Sequence, residues 1–317
     1  MLKRRELIQG ICAAAMLTLP GCGSSRSTSD RSFRLLFLTD FHTMEERGAP
    51  EALALLARKI HELKPDLLIG GGDFIHGGFA GDASTSRQRF TLFRKWVDSL
   101  KVPAEWMIGN HDFVEAVDQE GNIRPGDPTS MYRQFMGIDA AAALYRSFDF
   151  GGYHFIVLQS VQVVGGKQPY GFYRGFIDEA QMSWLKEDLA AQPADQPLVL
   201  CTHIPLRTTF MQARYDSTAA LPPNLVVENA NEVLTLFEGR PLHTVLQGHL
   251  HVNETITWNQ TSFVMAGAVC GAWWKGPNLG THEGFAEISA VGGKPPTSRY
   301  MSYGWQAQAP SQAGPQY

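Results

Sequence analysis

Apolar residues follow two rhythms along this chain. Short unbroken runs, as in FRLLFL (33–38), DLLIGG (66–71), AEWMIGN (104–110), PLVLCTH (197–203) and HTVLQGH (243–249), suit strands buried on both faces. Between them the spacing changes to three and four. Over 49–66, Leu53, Leu56, Ile60 and Leu63 make one helical face, with Pro50 suited to the first turn. Phe93, Trp96, Val97 and Leu100 do the same over 89–103, where Pro103 marks the end. A third helix is expected over 178–191, capped by Asp178, with Trp184, Leu185 and Leu189 facing inward. Segment 144–160 carries two strand-like runs around Gly151-Gly152, a hairpin signal; 253–267 reads as a second hairpin and 284–290 as a late strand. Alternating strands and helices with added hairpins predict a mixed α/β sandwich in one domain over 33–303, with no linker inside it.

The ends differ from this body. The chain opens with Lys3, Arg4 and Arg5, then an apolar segment from Leu7 to Leu19, the form of an export signal over 1–21 rather than of a fold element. Arg4-Arg5 before Leu7-Ile8 resembles a twin-arginine signal, although Glu6 and Gln9 depart from that pattern. Leu19-Pro20-Gly21-Cys22 resembles a bacterial lipobox. That reading makes Cys22 the lipid-bearing residue and the cell envelope or periplasm the destination. The competing reading is a plain cleaved signal with a chance cysteine. Residues 22–32 have the small, polar composition of a flexible tether, and 304–317 reads as a loose tail.

Composition adds exclusions. With 317 residues and 44% of them hydrophobic, the chain can bury a large core, and no run of about twenty apolar residues in its body predicts a spanning helix. Removing 1–21 takes away three basic residues and one acidic residue, leaving 24 basic against 30 acidic, a net −6. Such a surface does not attract polyphosphate backbones, so nucleic acid is not an expected partner. Of four cysteines, Cys12 lies in the signal and Cys22 at its end. Cys201 and Cys270 permit one disulfide, and Cys201 has the place of a strand-core residue.

Candidate chemistry lies where the apolar runs stop. The first ends in Asp40 and His42, the second in Asp73, the third in Asn110, His111 and Asp112, a later one in His203, and the last in His249 and His251. Five strand ends, three of them with glycine, therefore carry carboxylate, amide or imidazole groups. In open α/β sheets the ligand site forms beyond the carboxyl ends of the strands, so these ends should converge. Any one pair is common by chance. Their order is not, and five of the ten histidines belong to these blocks.

In that order, D-x-H, G-D, G-N-H-D, a single H and G-H-x-H, the blocks resemble the calcineurin-like metallophosphoesterase family. The resemblance implies a four-layer α/β/β/α sandwich, two mixed sheets flanked by helices, with a binuclear metal centre. It implies that Asp40, His42, Asp73 and His251 surround one ion and Asp73, Asn110, His203 and His249 the other, Asp73 bridging. Alternation in an extended segment would let His249 and His251 reach neighbouring ions while Leu250 points into the fold. An oxygen and nitrogen donor set suits manganese, iron or zinc better than calcium, and neither cysteine is expected to coordinate. Two such ions acidify a bridging water and stabilise in-line displacement at phosphorus. In the family His111 is expected to donate a proton to the leaving oxygen or bind phosphate, with Asp112 holding its orientation.

Departures narrow the class. Where calcineurin-type protein phosphatases carry an aspartate and an arginine after G-D, this chain has His76 and Gly77. The missing arginine leaves little to grip a dianion, which favours a phosphodiesterase on a small-molecule or lipid-derived diester. The alternatives are a phosphomonoesterase of the same family and, from another class, a metal-stabilised ligand-binding protein without turnover. A nuclease is disfavoured by the net charge. His76 is a candidate for contact near the ligands or the substrate, or else an exposed loop residue. Trp273 and Trp274, in a glycine-rich loop, are candidates to wall a substrate pocket or to pack beneath the loop. His61, His154 and His243 are assigned to structure.

Overall fold

In the computed structural model, which describes residues 32–166 and 171–307, the two rhythms resolve into two sheets with helices outside them. The first part runs β1 (Phe33–Leu38), α1 (Ala49–Leu63), β2 (Leu67–Gly70), α2 (Ala83–Leu100), β3 (Ala104–Trp106) and α3 (Ser130–Met136). Next come β4 (Arg146–Phe150), β5 (Tyr153–Val157), β6 (Val161–Val163), β7 (Tyr173–Gly175), α4 (Glu179–Ala191) and β8 (Leu198–Thr202). The remainder is α5 (Phe210–Arg214), α6 (Ala230–Thr235), β9 (Leu242–Gln247), β10 (Asn253–Trp258), β11 (Thr261–Ala266), β12 (Gly284–Ala290) and β13 (Thr297–Ser302). The export signal, Cys22 and the tether up to residue 31 lie outside the described residues, as does the tail from 308.

One sheet has the order β13-β12-β1-β2-β3 and the other β10-β11-β9-β8-β5-β4. Within them β1, β2 and β3 are parallel, as are β5, β8, β9 and β11, while β4, β10, β12 and β13 add antiparallel edges. Alternation along β1 explains the layering. Phe33, Leu35 and Phe37 enter the core between the sheets, with Tyr153, Phe155, Val199 and Cys201 from the facing side. Phe33 meets Tyr153 edge-on at 5.4 Å. Leu36 and Leu38 join the cluster that holds Leu53, Leu56 and Ile60 of α1 and Phe90, Phe93 and Trp96 of α2. Ile156, Leu200 and Val245 of the second sheet join Leu185 and Leu189 of α4 and Val233 of α6. This is the four-layer arrangement the motifs implied.

Both hairpins form. Gly151 and Gly152 take φ of 60° and 86°, the left-handed pair that a two-residue turn between twisted strands requires. Helix α2 starts at Ala83, earlier than the apolar pattern showed, because Asp82 caps it by accepting from Thr85 N at 2.9 Å. Asp178 caps α4 on Gln181 N as expected, and of its three inward candidates Leu185 and Leu189 are buried while Trp184 is half-buried against Tyr145. His154 sits between Asp149 and Asp188, and His61 reaches the carbonyl of Leu100, both structural roles. Cys201 and Cys270 are both free and buried, so the permitted disulfide is not made. The expected loose tail from 304 is a correction in part: Trp305 packs edge-on against Trp274 at 5.3 Å. Among the described residues no helix is long and apolar enough to cross a membrane.

Candidate metal centre

Because β1, β2 and β3 are parallel, as are β8 and β9, their carboxyl ends carry the polar blocks to one place. The chain leaving β1 zips onto the chain leaving β2 through Asp40 N→Gly72 O (3.0 Å), His42 N→Asp73 O (2.9 Å) and Thr43 N→Phe74 O (3.0 Å). Within the second sheet Gly248 N donates to His203 O at 3.0 Å, and across the sheets His249 N donates to Asp40 Oδ2 at 2.9 Å. All seven candidate ligands are brought together. Asp40, His42 and Asp73 offer atoms within 4.8 Å of one another, and so do Asp73, His203 and His249. His251 Nε2 lies 3.0 Å from His42 Nε2, and Asn110 Oδ1 lies 3.1 Å from His203 Nε2.

The ring nitrogens facing away from the cluster decide what faces into it. His203 Nδ1 bonds the carbonyl of Gly71 at 2.7 Å, His251 Nδ1 that of Gly271 at 2.7 Å, and His249 Nε2 that of Asn224 at 2.9 Å. A carbonyl only accepts, so each of these nitrogens carries a proton, and in the neutral ring the opposite nitrogen presents a lone pair inward. The carboxylates are divided in the same way. Asp40 Oδ2 accepts from Thr39 Oγ1 and His249 N, while Oδ1 is buried without a hydrogen bond, 3.3 Å from His251 Nε2. Asp73 Oδ1 accepts from His111 N at 2.7 Å, which leaves Oδ2 between His42 Nε2 (3.5 Å) and His203 Nε2 (3.3 Å). An orphaned buried carboxylate oxygen and three fixed imidazole lone pairs are a donor set suited to divalent cations.

The GHLH segment differs from the extended geometry expected of it. His249 and His251 have φ of 77° and 54°, and Leu250 N bonds Gly248 O at 2.9 Å, closing a three-residue turn of the rarer, strained hand. Leu250 is fully buried, as the alternation argument required, but through a turn rather than a strand.

Asp112 is a second correction. Its carboxylate does not touch the His111 ring: Oδ1 accepts from Phe74 N (2.7 Å) and Ile75 N (3.3 Å), and Oδ2 from Gly109 N (2.9 Å). It is the tie between the ends of β2 and β3. His111 is held instead by Gly77 N, which donates to Nδ1 at 2.9 Å and so leaves the proton on Nε2. The tryptophans separate. Trp273 is half-buried with its ring 4.6 Å from that of His251. Trp274 is turned inward, 2% exposed, and its indole donates to His42 O at 2.9 Å, so it supports the backbone of a candidate ligand. His76 is half-buried rather than exposed, 5.7 Å from the His42 ring and 5.8 Å from that of His111.

Three neighbours carried no signal in the sequence. Cys270 Sγ lies 3.9 Å from His251 Nδ1, the Tyr173 ring is 6.1 Å from that of His249, and Arg89 Nη1 donates to His76 O at 2.6 Å. Nothing in residue type or spacing ties any of them to the five blocks.

Electrostatics follow the geometry. Burial alone would push Asp73 and Asp40 up, but the surrounding imidazoles, His203 and His111 for Asp73 and His251 for Asp40, hold both below the usual carboxylate range. Burial opposes charge on His203, yet Asp73 and Asp40 raise it to about 9. His249, buried and facing His203, falls to about 4, and burial with the neighbouring His111, Arg89 and Arg47 takes His76 to about 3. Burial and the charge of Asp73 push Asp112 up to about 8. The two buried carboxylates stay anionic beside His203 and His251, both held above the usual imidazole range, and a bound cation would supply the positive charge in place of those protons.

Comparison with known proteins agrees. The sequence model of a family described as calcineurin-like phosphoesterase matches residues 33–253. A 3',5'-cyclic adenosine monophosphate phosphodiesterase of Escherichia coli K12 is 26% identical over 271 residues, 81% of this chain and 81% of its own length. A 3',5'-cyclic-nucleotide phosphodiesterase of Nostoc is 21% identical over 224 residues, covering 68% and 70%. Among solved structures, a dimetal phosphatase from Danio rerio matches with a TM-score of 0.59 at 14% identity, over 86% of this chain and 100% of its own, a likeness of fold. The family match runs from β1 to the first residue of β10, two beyond His251, and spans well over half of the chain, which therefore belongs to the calcineurin-like phosphoesterases, metal-dependent hydrolases of phosphate esters.

Proposed function

We propose that this protein is a phosphodiesterase that uses two divalent or trivalent cations, manganese, iron or zinc, to cleave a small-molecule or lipid-derived diester. The observation that carries the binuclear reading is Asp73 Oδ2, one oxygen standing 3.5 Å from His42 Nε2 and 3.3 Å from His203 Nε2. Asp40, His42, Asp73 and His251 would hold one cation, and Asp73, Asn110, His203 and His249 the other. Bound there, the cations would neutralise charge at phosphorus and lower the pKa of water. The chain's own part is orientation and hydrogen bonding. His111, its proton placed on Nε2 by Gly77 N, is a neutral imidazole whose N–H would bind the phosphoryl group, the second of the two roles the resemblance implied. The names of the relatives support a diester and make a cyclic nucleotide the first natural substrate to try.

The test is hydrolysis of bis-p-nitrophenyl phosphate against p-nitrophenyl phosphate by the purified chain under each of the three metals. Faster diester cleavage is expected. Faster monoester cleavage would move the protein to the phosphatases, and two bound metals without turnover of either would leave a narrow-specificity enzyme or a ligand-binding protein. Asn110→Ala and His203→Ala should each abolish turnover, and activity retained by either refutes the site.

We also propose export and lipid attachment at Cys22, on the strength of the basic start, the apolar segment and Leu19-Pro20-Gly21-Cys22. Membrane fractionation checks this: Cys22→Ser should move the protein from the membrane to the soluble fraction. A wild-type protein that is already soluble, beginning elsewhere than at residue 22, overturns it.

A further inference from the structure

His76 is pinned from three sides and committed to nothing. Its N donates to Thr43 O at 3.2 Å, its O accepts from Arg89 Nη1 at 2.6 Å, and the next residue, Gly77, is bonded to the His111 ring at 2.9 Å. Yet its buried Nδ1 has no hydrogen-bond partner. A buried polar atom kept for packing alone would be satisfied, or replaced by carbon. Ring nitrogens of His42, His76 and His111 come within 4.8 Å of one another, and the His76 and His111 rings are near-parallel, 22° apart. Since His111 carries its proton on Nε2, the trio is poor as a cation site: one of its three would-be ligands is a donor. His42 already faces the carboxylates. What remains is a pair of imidazoles side by side at the outer edge of the cluster, with Arg47 and Arg89 close enough for their charge to act on His76.

We propose that His76 is a substrate-binding residue that, with His111, cradles the oxygens of the phosphoryl group, taking the part that the G-D motif of protein phosphatases gives to arginine. The proposal rests on the phosphoesterase reading of the site and assigns the non-reacting phosphoryl oxygens to two neighbouring N–H donors. Rigid backbone anchoring beneath an uncommitted ring is how a binding group is held ready.

The experiment compares the full manganese-loaded chain with His76→Ala and His76→Asn, whose amide nitrogen stands close to the place of imidazole Nδ1. Three quantities are read: manganese per chain, the Kd of inorganic phosphate by calorimetry, and kcat and KM for bis-p-nitrophenyl phosphate. His76→Ala should still bind two manganese ions, weaken phosphate and raise KM by roughly tenfold, the loss of one charge-assisted hydrogen bond, with a smaller change in kcat. His76→Asn should recover most of the loss. An unchanged phosphate Kd in His76→Ala overturns the proposal, as does manganese per chain falling with His76→Ala, which would make His76 a ligand. A wild-type chain that binds no phosphate overturns it as well. If wild type binds phosphate but cleaves no ester, the hydrolase reading fails, and the phosphate Kd of the variants still decides the role of His76.

Discussion

Asp112→Ala removes one acceptor shared by three backbone donors. Phe74 N and Gly109 N make good bonds at 2.7 and 2.9 Å and Ile75 N a weaker one at 3.3 Å, all to a side chain with no exposure. A buried N–H left without a partner costs about 1–3 kcal/mol, so two strong losses and one weak one come to roughly 3–6 kcal/mol. At roughly 2 °C per kcal/mol for a domain of this size, Tm should fall by about 6–12 °C. Asp112→Asn separates structure from chemistry. Its amide oxygen can keep Phe74 and Ile75, but its NH2 then faces Gly109 N, one bond lost and two donors opposed. The expected cost is about 1–3 kcal/mol, or roughly 2–6 °C. With saturating metal and well below its Tm, the asparagine variant should keep kcat within about threefold of wild type, because the His111 ring is positioned by Gly77. Thermal unfolding and steady-state hydrolysis on the same samples make the check. An asparagine variant with unchanged Tm and kcat reduced by about a hundredfold would refute the reasoning and return Asp112 to the proton transfer.

Gly248→Ala should reduce metal binding sharply: an added Cβ would overlap Thr39 Oγ1 and stand 2.9 Å from Asp40 Oδ2, displacing a ligand, and metal content after dialysis reads the loss. Trp274→Phe removes the indole bond to His42 O and should cost about 1 kcal/mol while weakening metal retention; a variant that loses only stability shows that the bond does not support the ligand. Asp178→Ala, far from the centre, removes the cap on Gln181 N and should lower stability by about 1 kcal/mol without changing kcat or KM.

What could be read from the sequence depended on where the information lies. The paired sheets were legible because buried strands are unbroken apolar runs, and the ligands because donor residues recur at the ends of those runs. The small pair β6 and β7 and the short helices α3, α5 and α6 were not, since three to seven residues give no period to detect. Helix α2 began six residues before the expected stretch because its first turns are polar and only the cap marks them. Asp112 was misjudged for a different reason. Its three partners are backbone N–H groups, which have no signature in residue type, whereas a carboxylate beside a histidine looks like a pair. Trp273 and Trp274 look alike in sequence. Their left-handed turn, with φ of 52° and 66°, sends one indole beside His251 and the other under His42.

The same conformation marks the centre itself. Asp40, His42, Asp73, His249 and His251 have φ of 57°, 41°, 55°, 77° and 54°, a region in which side-chain-bearing residues are strained. Aspartate and histidine tolerate it better than most, so about 1 kcal/mol each is a fair cost, and about 5 kcal/mol for the five. That is comparable with the whole net stability of many domains. Strain of this size persists only where neighbours dictate the backbone, and here they do. Asp40 and His42 are bonded through their N–H groups to the β2 end, His249 through its N–H to Asp40, and Cys270 N closes on Asp40 O at 3.2 Å. Glycine would relieve the backbone at all five positions, and none of the five is glycine. The left-handed turns aim donor atoms from three strand ends at one point, and a glycine there would have no atom to aim. The ligand residues are thus placed against their own backbone preference by the loops around them. A sequence can show which donors stand at the strand ends; their convergence is imposed by contacts made only once the two sheets have packed.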